Sequence, residues 1–366
     1  MSSSPLSMQL NKKEDLCSQV QSFKSLFSSK TPQPKYIFGI NVYTESVLEH
    51  IKVDGLVDDF TLDPSFKGIP ILKSDAIETN AVVLVCSGGR PLSIKRNLDA
   101  RGIKNIDYFA FSKYSPELKL REIVFNEDFS LDYHANLEQY QWTNSILADK
   151  QSKSIFEQLV KFRLHHDLKD LQQFNFINSC QYFEPFLLLK RNRESFLDIG
   201  GFDGRDTIEF IKRCPGYSAI HIFEPSPESS QKCKKLVGQY SNLYVHELGL
   251  SDRKDTLLFD LKGSASHISE SGTHQIAVDR LDNVLMNGCV PTFIKMDIEG
   301  SELSALEGAS HTIENFGPRL AISVYHKSGD FWKIPKKILQ IRADYDVYLR
   351  HYSESIYETV MFFIRK

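Results

Sequence analysis

Short apolar runs that end in an acid or a glycine recur along the second half of this chain. In Ser195-Phe-Leu-Asp-Ile-Gly-Gly-Phe-Asp-Gly204 an apolar run carries Asp198, a glycine turn follows, and Arg205 to Cys214 shows helical spacing. Ala219 to Glu224 is a second apolar run with an acid at its end. Leu243 to Leu248 is a third, followed by Gly249-Leu-Ser-Asp252. Thr292 to Gly300 is a fourth, carrying Asp297 and Glu299, with a helical run from Glu302 to Ile313 after it. Helix capping explains any one of these acids. Four strand–loop–helix units with acids at three strand ends predict an open α/β sheet, and such sheets bind ligands beyond the carboxyl ends of their strands.

The first half repeats the rhythm on a smaller scale. Tyr36 to Gly39, Val53 to Val57 (ending at Asp58-Asp59), Ala81 to Cys86 and Ile106 to Phe111 read as strands. Tyr43 to Ile51 and Pro91 to Arg101 read as helices. Between the halves, apolar positions recur at helical spacing over Leu137–Leu147 and Ile155–Leu171. His165-His166 lies there without an i, i+4 partner and reads as a solvated helix face, not a metal site. The predicted organisation is a loosely held segment over 1–33, with a short helix near Lys12 to Phe27, and a small βαβ domain over 34–116. A helical connector over 117–190 and the main α/β domain over 191–366 follow.

The glycine spacing decides between ligands. In the dinucleotide fingerprint G-x-G-x-x-G, Phe202 and Arg205 would stand where the second and third glycines belong, so a nicotinamide oxidoreductase is excluded. Gly200 and Gly204 let the backbone come close to a ligand that a Cβ would push away. Only Gly39 remains of a glycine cluster in the first domain, which argues against a wrapped pyrophosphate there. Gly88-Gly89-Arg90 is its candidate for residual anion binding. Lys295, in a central strand on the face of Phe293 and Asp297, demands an ion-pair partner. With 44 basic and 47 acidic residues the chain carries no polyanion-binding excess, so nucleic acid is not the expected partner. Six scattered cysteines (17, 86, 180, 214, 233, 289) without a C-x-x-C pair fit reduced thiols, not a disulfide frame or a zinc site. No run is long enough to span a membrane, and a cytoplasmic location is expected.

Asp198-x-Gly200-x-x-x-Gly204 resembles motif I of S-adenosylmethionine (SAM) methyltransferases. Together with FEPS (223–226), GLSD (249–252), Leu281-Asp282, IKMDIEGSE (294–302) and Val324-Tyr-His326, residues 185–366 resemble the FkbM-type methyltransferase family. The first domain, with Ile37-Phe-Gly-Ile-Asn41, Asp58-Asp59 and Gly68-Ile-Pro-Ile-Leu72, resembles half-domains of sugar-modifying enzymes. The resemblance implies a class I Rossmann-like, seven-stranded methyltransferase domain that uses SAM. The acceptor would be a hydroxyl of a small molecule, saccharide or glycoconjugate. Cofactor-binding residues would be Asp198, Gly200, Phe202, Gly204, Glu224, Ser251 and Asp297, with Glu224 on the ribose hydroxyls. The segment Gly263-Ser-Ala-Ser-His267 resembles the family's loop over the acceptor.

A sugar hydroxyl is a weak nucleophile, so its proton must be removed as the new bond forms. His326 is the expected base, with Asp297 and Glu299 holding the hydroxyl or orienting the imidazole. No metal is expected, because the Asp-Asn pair of catechol-type metal methyltransferases is missing; the alternative is that Asp297 and Glu299 are ligands of a divalent metal that activates the hydroxyl. The alternatives are a non-catalytic scaffold that binds a partner through its amino-terminal domain, and an N-methyltransferase. The latter is disfavoured because Asp297-Ile-Glu-Gly300 replaces the usual Asn/Asp-Pro-Pro-Tyr loop. Homo-oligomerisation or docking to glycan-assembly enzymes is left open.

Overall fold

The computed structural model describes residues 5–177, 181–260, 267–268, 272–285 and 288–366. The chain divides into two units that interleave in sequence. One holds Met1–Ser130, Glu157–Phe176 and Ser353–Tyr357, and the other Leu131–Phe156, Ile177–Tyr352 and Glu358–Lys366.

The first unit is built on β1 (Lys35–Phe38), β2 (Gly55–Val57), β3 (Ser65–Phe66), β4 (Ile69–Leu72), β5 (Val82–Val85) and β6 (Lys104–Asp107). They lie in the order β3-β4-β2-β1-β5-β6, parallel apart from the β3–β4 pair. All four residues of β5 are buried, as expected of a central parallel strand covered on both faces. The last strand is shorter than the apolar run implied. It stops at Asp107, whose carboxylate accepts a bond from the Ala110 amide (2.9 Å) and starts the helix Tyr108–Lys113.

Three expectations change here. Residues 5–28 form a helix, and its carboxyl half is packed: Leu16, Val20, Phe23 and Phe27 are buried, and Phe23 and Phe27 meet Phe111 with ring centroids 6.1 and 6.4 Å apart. Wide i, i+4, i+7 spacing among serines and lysines had hidden that stripe. His166 is buried instead of solvated, its Nδ1 3.1 Å from the Phe109 carbonyl and its Nε2 3.0 Å from Asn126 Nδ2. The turn at Gly88-Gly89-Arg90 leads into the helix Pro91–Ala100, whose amino end is already occupied by a carboxylate of the chain. Glu354 Oε2 accepts from the Ser93 amide at 2.7 Å, and the Ser93 hydroxyl donates to Oε1.

The region expected to be a separate helical connector is shared between the units. The helices Leu137–Ile146 and the start of Lys150–His165 belong to the second unit. There Ala148 donates to the Val347 carbonyl (2.8 Å), Asp149 pairs with Arg350 (2.7 Å) and Ser152 Oγ accepts from the Leu349 amide (2.9 Å). The end of the same helix belongs to the first unit, where Arg163 donates to the carbonyls of Phe125 (2.6 Å) and Ile356 (3.1 Å).

In the second unit β7 (Ser195–Ile199), β8 (Ala219–Phe223) and β9 (Leu243–His246) form one wing of a seven-stranded sheet. A four-stranded sheet follows: β10 (Gly249–Leu250), β11 (Asp255–Asp260), β12 (His267–Ile268) and β13 (His274–Asp279), ordered β10-β13-β11-β12. The third apolar run therefore ends as a strand at His246, and the segment after it, expected to be a loop, supplies β10 of the second sheet. The large sheet is completed by β14 (Phe293–Met296), β15 (Arg319–Ser323), β16 (Tyr345–His351) and β17 (Thr359–Arg365), in the order β16-β17-β15-β14-β7-β8-β9. Six strands run in one direction, and β17 is antiparallel to both its neighbours. Under the sheet Phe196 of β7, Phe293 of β14 and Phe210 of the helix Arg205–Arg213 stack, with centroids 4.3 Å (Phe196–Phe210) and 5.2 Å (Phe196–Phe293) apart. The segment 263–266, expected to cover the acceptor, lies outside the described residues, as does Cys180. The other five cysteines are free thiols.

Candidate active site

The glycine turn after β7 is shaped by the protein itself. Gly200 has φ +82°, and a Cβ there would stand 1.8 Å from the Asp297 carbonyl oxygen at the end of β14. The neighbouring strand thus requires glycine here by itself. Phe202 sits at φ +45° in the same turn, held by a bond from its amide to Glu224 Oε2 (2.8 Å). Glu224 Oε1 accepts from the Ser226 amide (2.8 Å), so the carboxylate at the end of β8 is fixed by two backbone donors.

Beneath the turn lies Lys295, buried as its strand position required. Its Nζ is 3.1 Å from Asp198 Oδ1 and 3.2 Å from Asp206 Oδ2, and it donates to the Gly200 carbonyl at 2.6 Å. Burial alone would favour the neutral amine, but Asp198, Asp206 and Asp297 outweigh it and raise the ammonium's pKa. Asp198 is fully buried, with its other oxygen accepting from Thr207 Oγ1 (2.7 Å). It braces the turn from below. Ser251 stands apart from this group, its hydroxyl 3.1 Å from Asp252 Oδ1 and its amide on the Asp279 carbonyl.

The structure brings Asp297, Glu299 and His326 together at the carboxyl ends of β14 and β15. His326 Nε2 is 3.3 Å from Asp297 Oδ1 and 3.5 Å from Glu299 Oε2, and Nδ1 is 3.0 Å from Glu302 Oε1. Glu299 reaches this position through a left-handed backbone, φ +53°, which with Gly300 at φ +94° turns the chain sharply before the helix Glu302–Gly308. Two residues of the cluster had no role assigned from the sequence. Glu302 is buried, and the Ile298 amide (2.9 Å) holds its carboxylate inward. The Tyr182 hydroxyl donates to Asp297 Oδ2 at 2.5 Å, and Lys295 Nζ lies 5.1 Å from the Tyr182 ring centre. An acid three residues beyond Glu299 was the available signal for Glu302; Tyr182 lies in the segment Gln181-Tyr-Phe-Glu-Pro185, which the sequence places at the entry to this domain, beside the cofactor.

His326, the expected base, stands among three carboxylates, as an imidazole with a raised pKa requires. Burial pulls its pKa down, but Glu302, Asp297 and Glu299 together push it up to about 10. As the cluster stands, the imidazole carries a proton at neutral pH and can accept another group's proton only after losing it. Burial, Asp297 and Glu302 raise Glu299 to about 8. Among the described residues, Asp297, Glu302 and His326 each offer one ligand atom within 4.8 Å of the others, a grouping that could hold a metal ion.

The strand order, the glycine turn and the acids at the ends of β8 and β14 define the fold of a class I methyltransferase. Residues 198–352 match the methyltransferase FkbM domain. The 2-O-methyltransferase NoeI of Sinorhizobium fredii (strain NBRC 101917 / NGR234) is 27% identical over 150 residues, covering 34% of this chain and 61% of its own. The chain thus spans about three-fifths of that curated relative. A crystal structure of methyltransferase FkbM from Methylobacillus flagellatus KT shares the fold across both chains, at a TM-score of 0.75 and 24% identity, covering 99% of this chain and 100% of that one. No helix among the described residues is long and apolar enough to cross a membrane.

Proposed function

We propose that this protein uses SAM to methylate a hydroxyl group of a saccharide or glycoconjugate. The observation that carries the reading is the pairing, along one edge of the sheet, of a fixed carboxylate beside the glycine turn with a carboxylate–imidazole cluster two strands away. The residues present fit the cofactor: both oxygens of Glu224 are oriented by backbone donors and keep a second lone pair each for ribose hydroxyls. When bound, SAM supplies an electrophilic methyl group. The chain's own residues then have two tasks. Glu224 and the turn 200–204 hold the donor in place, and positioning of two reactants supplies much of the acceleration. Asp297, at the end of β14, takes the proton of the acceptor hydroxyl, while Glu299, which burial and its acidic neighbours raise to about 8, holds that hydroxyl by a hydrogen bond. His326, held by Glu302, keeps those carboxylates together. The known 2-O-methyltransferase relative supports oxygen as the acceptor atom.

Calorimetry of SAM binding to the full chain tests the cofactor half. Glu224→Ala is expected to lose about 1–3 kcal/mol of binding free energy, and a wild-type protein that does not bind SAM would sink the proposal. Release of S-adenosylhomocysteine with a panel of saccharides tests the transfer, and a product methylated on nitrogen would refute the oxygen assignment.

A further inference from the structure

The cluster around His326 has more carboxylate than it has protons or donors to satisfy. Glu302 is buried, yet its Oε2 has no hydrogen-bond partner, and Asp297 Oδ1 and Glu299 Oε2, both shut off from solvent, share a single neighbouring nitrogen, His326 Nε2. Burying an anionic oxygen unpaired is costly, so buried charges are paired or coordinate metals. The spacing is that of ligands around a cation. Two donors each about 2.1 Å from one ion lie roughly 3.0–3.4 Å apart for cis-octahedral to tetrahedral angles. The two contacts of Nε2, at 3.3 Å to Asp297 and 3.5 Å to Glu299, are close to that range. Glu302 at Nδ1 completes the carboxylate–histidine–metal arrangement that fixes a metal-bound imidazole and raises its basicity.

We propose that His326 Nε2, Asp297 and Glu299 bind a divalent cation, with Glu302 holding the imidazole from behind. One nitrogen with carboxylate oxygens suits Mn²⁺, Fe²⁺ or Zn²⁺ better than Ca²⁺. The cation takes the place of the proton His326 otherwise carries and leaves positions for water and the acceptor hydroxyl. A coordinated hydroxyl is more acidic than a free one, and its proton leaves to a carboxylate of the cluster while the oxygen stays bound. The role of the cation in catalysis rests on the methyl-transfer reading above; its binding does not.

Manganese titrated into the full chain, without SAM or acceptor, provides the test, with free Mn²⁺ read by electron paramagnetic resonance. One ion per chain with micromolar affinity is expected. Asp297→Asn and His326→Gln should each abolish tight binding, and Glu302→Gln should weaken it about 10- to 100-fold. Circular dichroism and melting temperature establish that each variant is folded, and Glu302→Gln, close in shape, serves if the others are not. A wild-type dissociation constant above about 1 mM, or tight binding that folded Asp297→Asn and Glu302→Gln leave unchanged, would overturn the proposal. Protein that binds Mn²⁺ but not SAM keeps the cation site and defeats the methyl-transfer reading. Protein that binds SAM but not Mn²⁺ does the reverse.

Discussion

Two glycines of the turn after β7 share φ +82° and differ in what surrounds them. A Cβ on Gly200 meets the Asp297 carbonyl at 1.8 Å, whereas on Gly204 its nearest neighbour is 3.4 Å away. Gly204→Ala should therefore lose only the left-handed penalty, about 1–2 kcal/mol, and Gly200→Ala clearly more, because the end of β14 must move. Urea unfolding of both variants checks this, and equal losses would show that the strand contact is unimportant. His166 sets a second test. Burial, with Lys113 and Arg163 nearby, lowers its pKa from the usual 6.5 to about 3, although the Phe109 carbonyl opposes the shift. The unfolded chain takes up that proton first, so this contribution to stability is complete above pH 6.5 and is lost as the pH falls toward 3. His166→Gln should flatten the fall in melting temperature between pH 7 and 5; an unchanged slope would remove His166 from the acid response. At this scale the strand-end residues Asp198, Glu224, Asp297, Glu299 and His326 could be read from the sequence, because a strand delivers its last side chains to the edge of the sheet. Their roles could not. That Asp198 braces the turn through Lys295 and that three carboxylates surround His326 depend on partners 97 and 24 or more positions away in sequence.

Helices and strands were legible where their apolar period was undiluted. The runs that became β5, β7, β8 and β14 announced themselves, since strands covered on both faces read as near-continuous apolar sequence. The four-stranded sheet did not, because β11 and β13 are largely exposed and mix with polar residues. The helix Pro5–Ser28 was blurred by its serines. The helix Pro91–Ala100 illustrates a cap that local sequence cannot show: its acceptor, Glu354, is 261 positions from Ser93. Glu354→Ala should cost about 1 kcal/mol, the usual worth of a helix cap, and Glu354→Gln less, since one acceptor oxygen survives. Chemical denaturation of the two variants distinguishes these cases, and a Glu354→Ala protein as stable as wild type would refute the cap.

At the scale of the molecule, the sequence predicted four consecutive segments, and the chain instead crosses between its two units five times. Long-range returns of this kind leave no mark in local periodicity. A fragment that begins at residue 185 would lack Asp149 and Ser152, which hold Arg350 and Leu349 of β16. We expect such a fragment to be less soluble and to melt at a lower temperature than the full chain; equal melting would show those bonds to be dispensable. The hairpin between β16 and β17 gives this threading a wider meaning. Its tip, Ser353–Tyr357, is counted with a unit whose sheet ends some 250 residues earlier, so neither unit is a module that recombination or a protein engineer could exchange whole. A chimera between relatives would have to carry three separate stretches together, and a splice at any one boundary would leave each half missing a piece that only its original partner encodes.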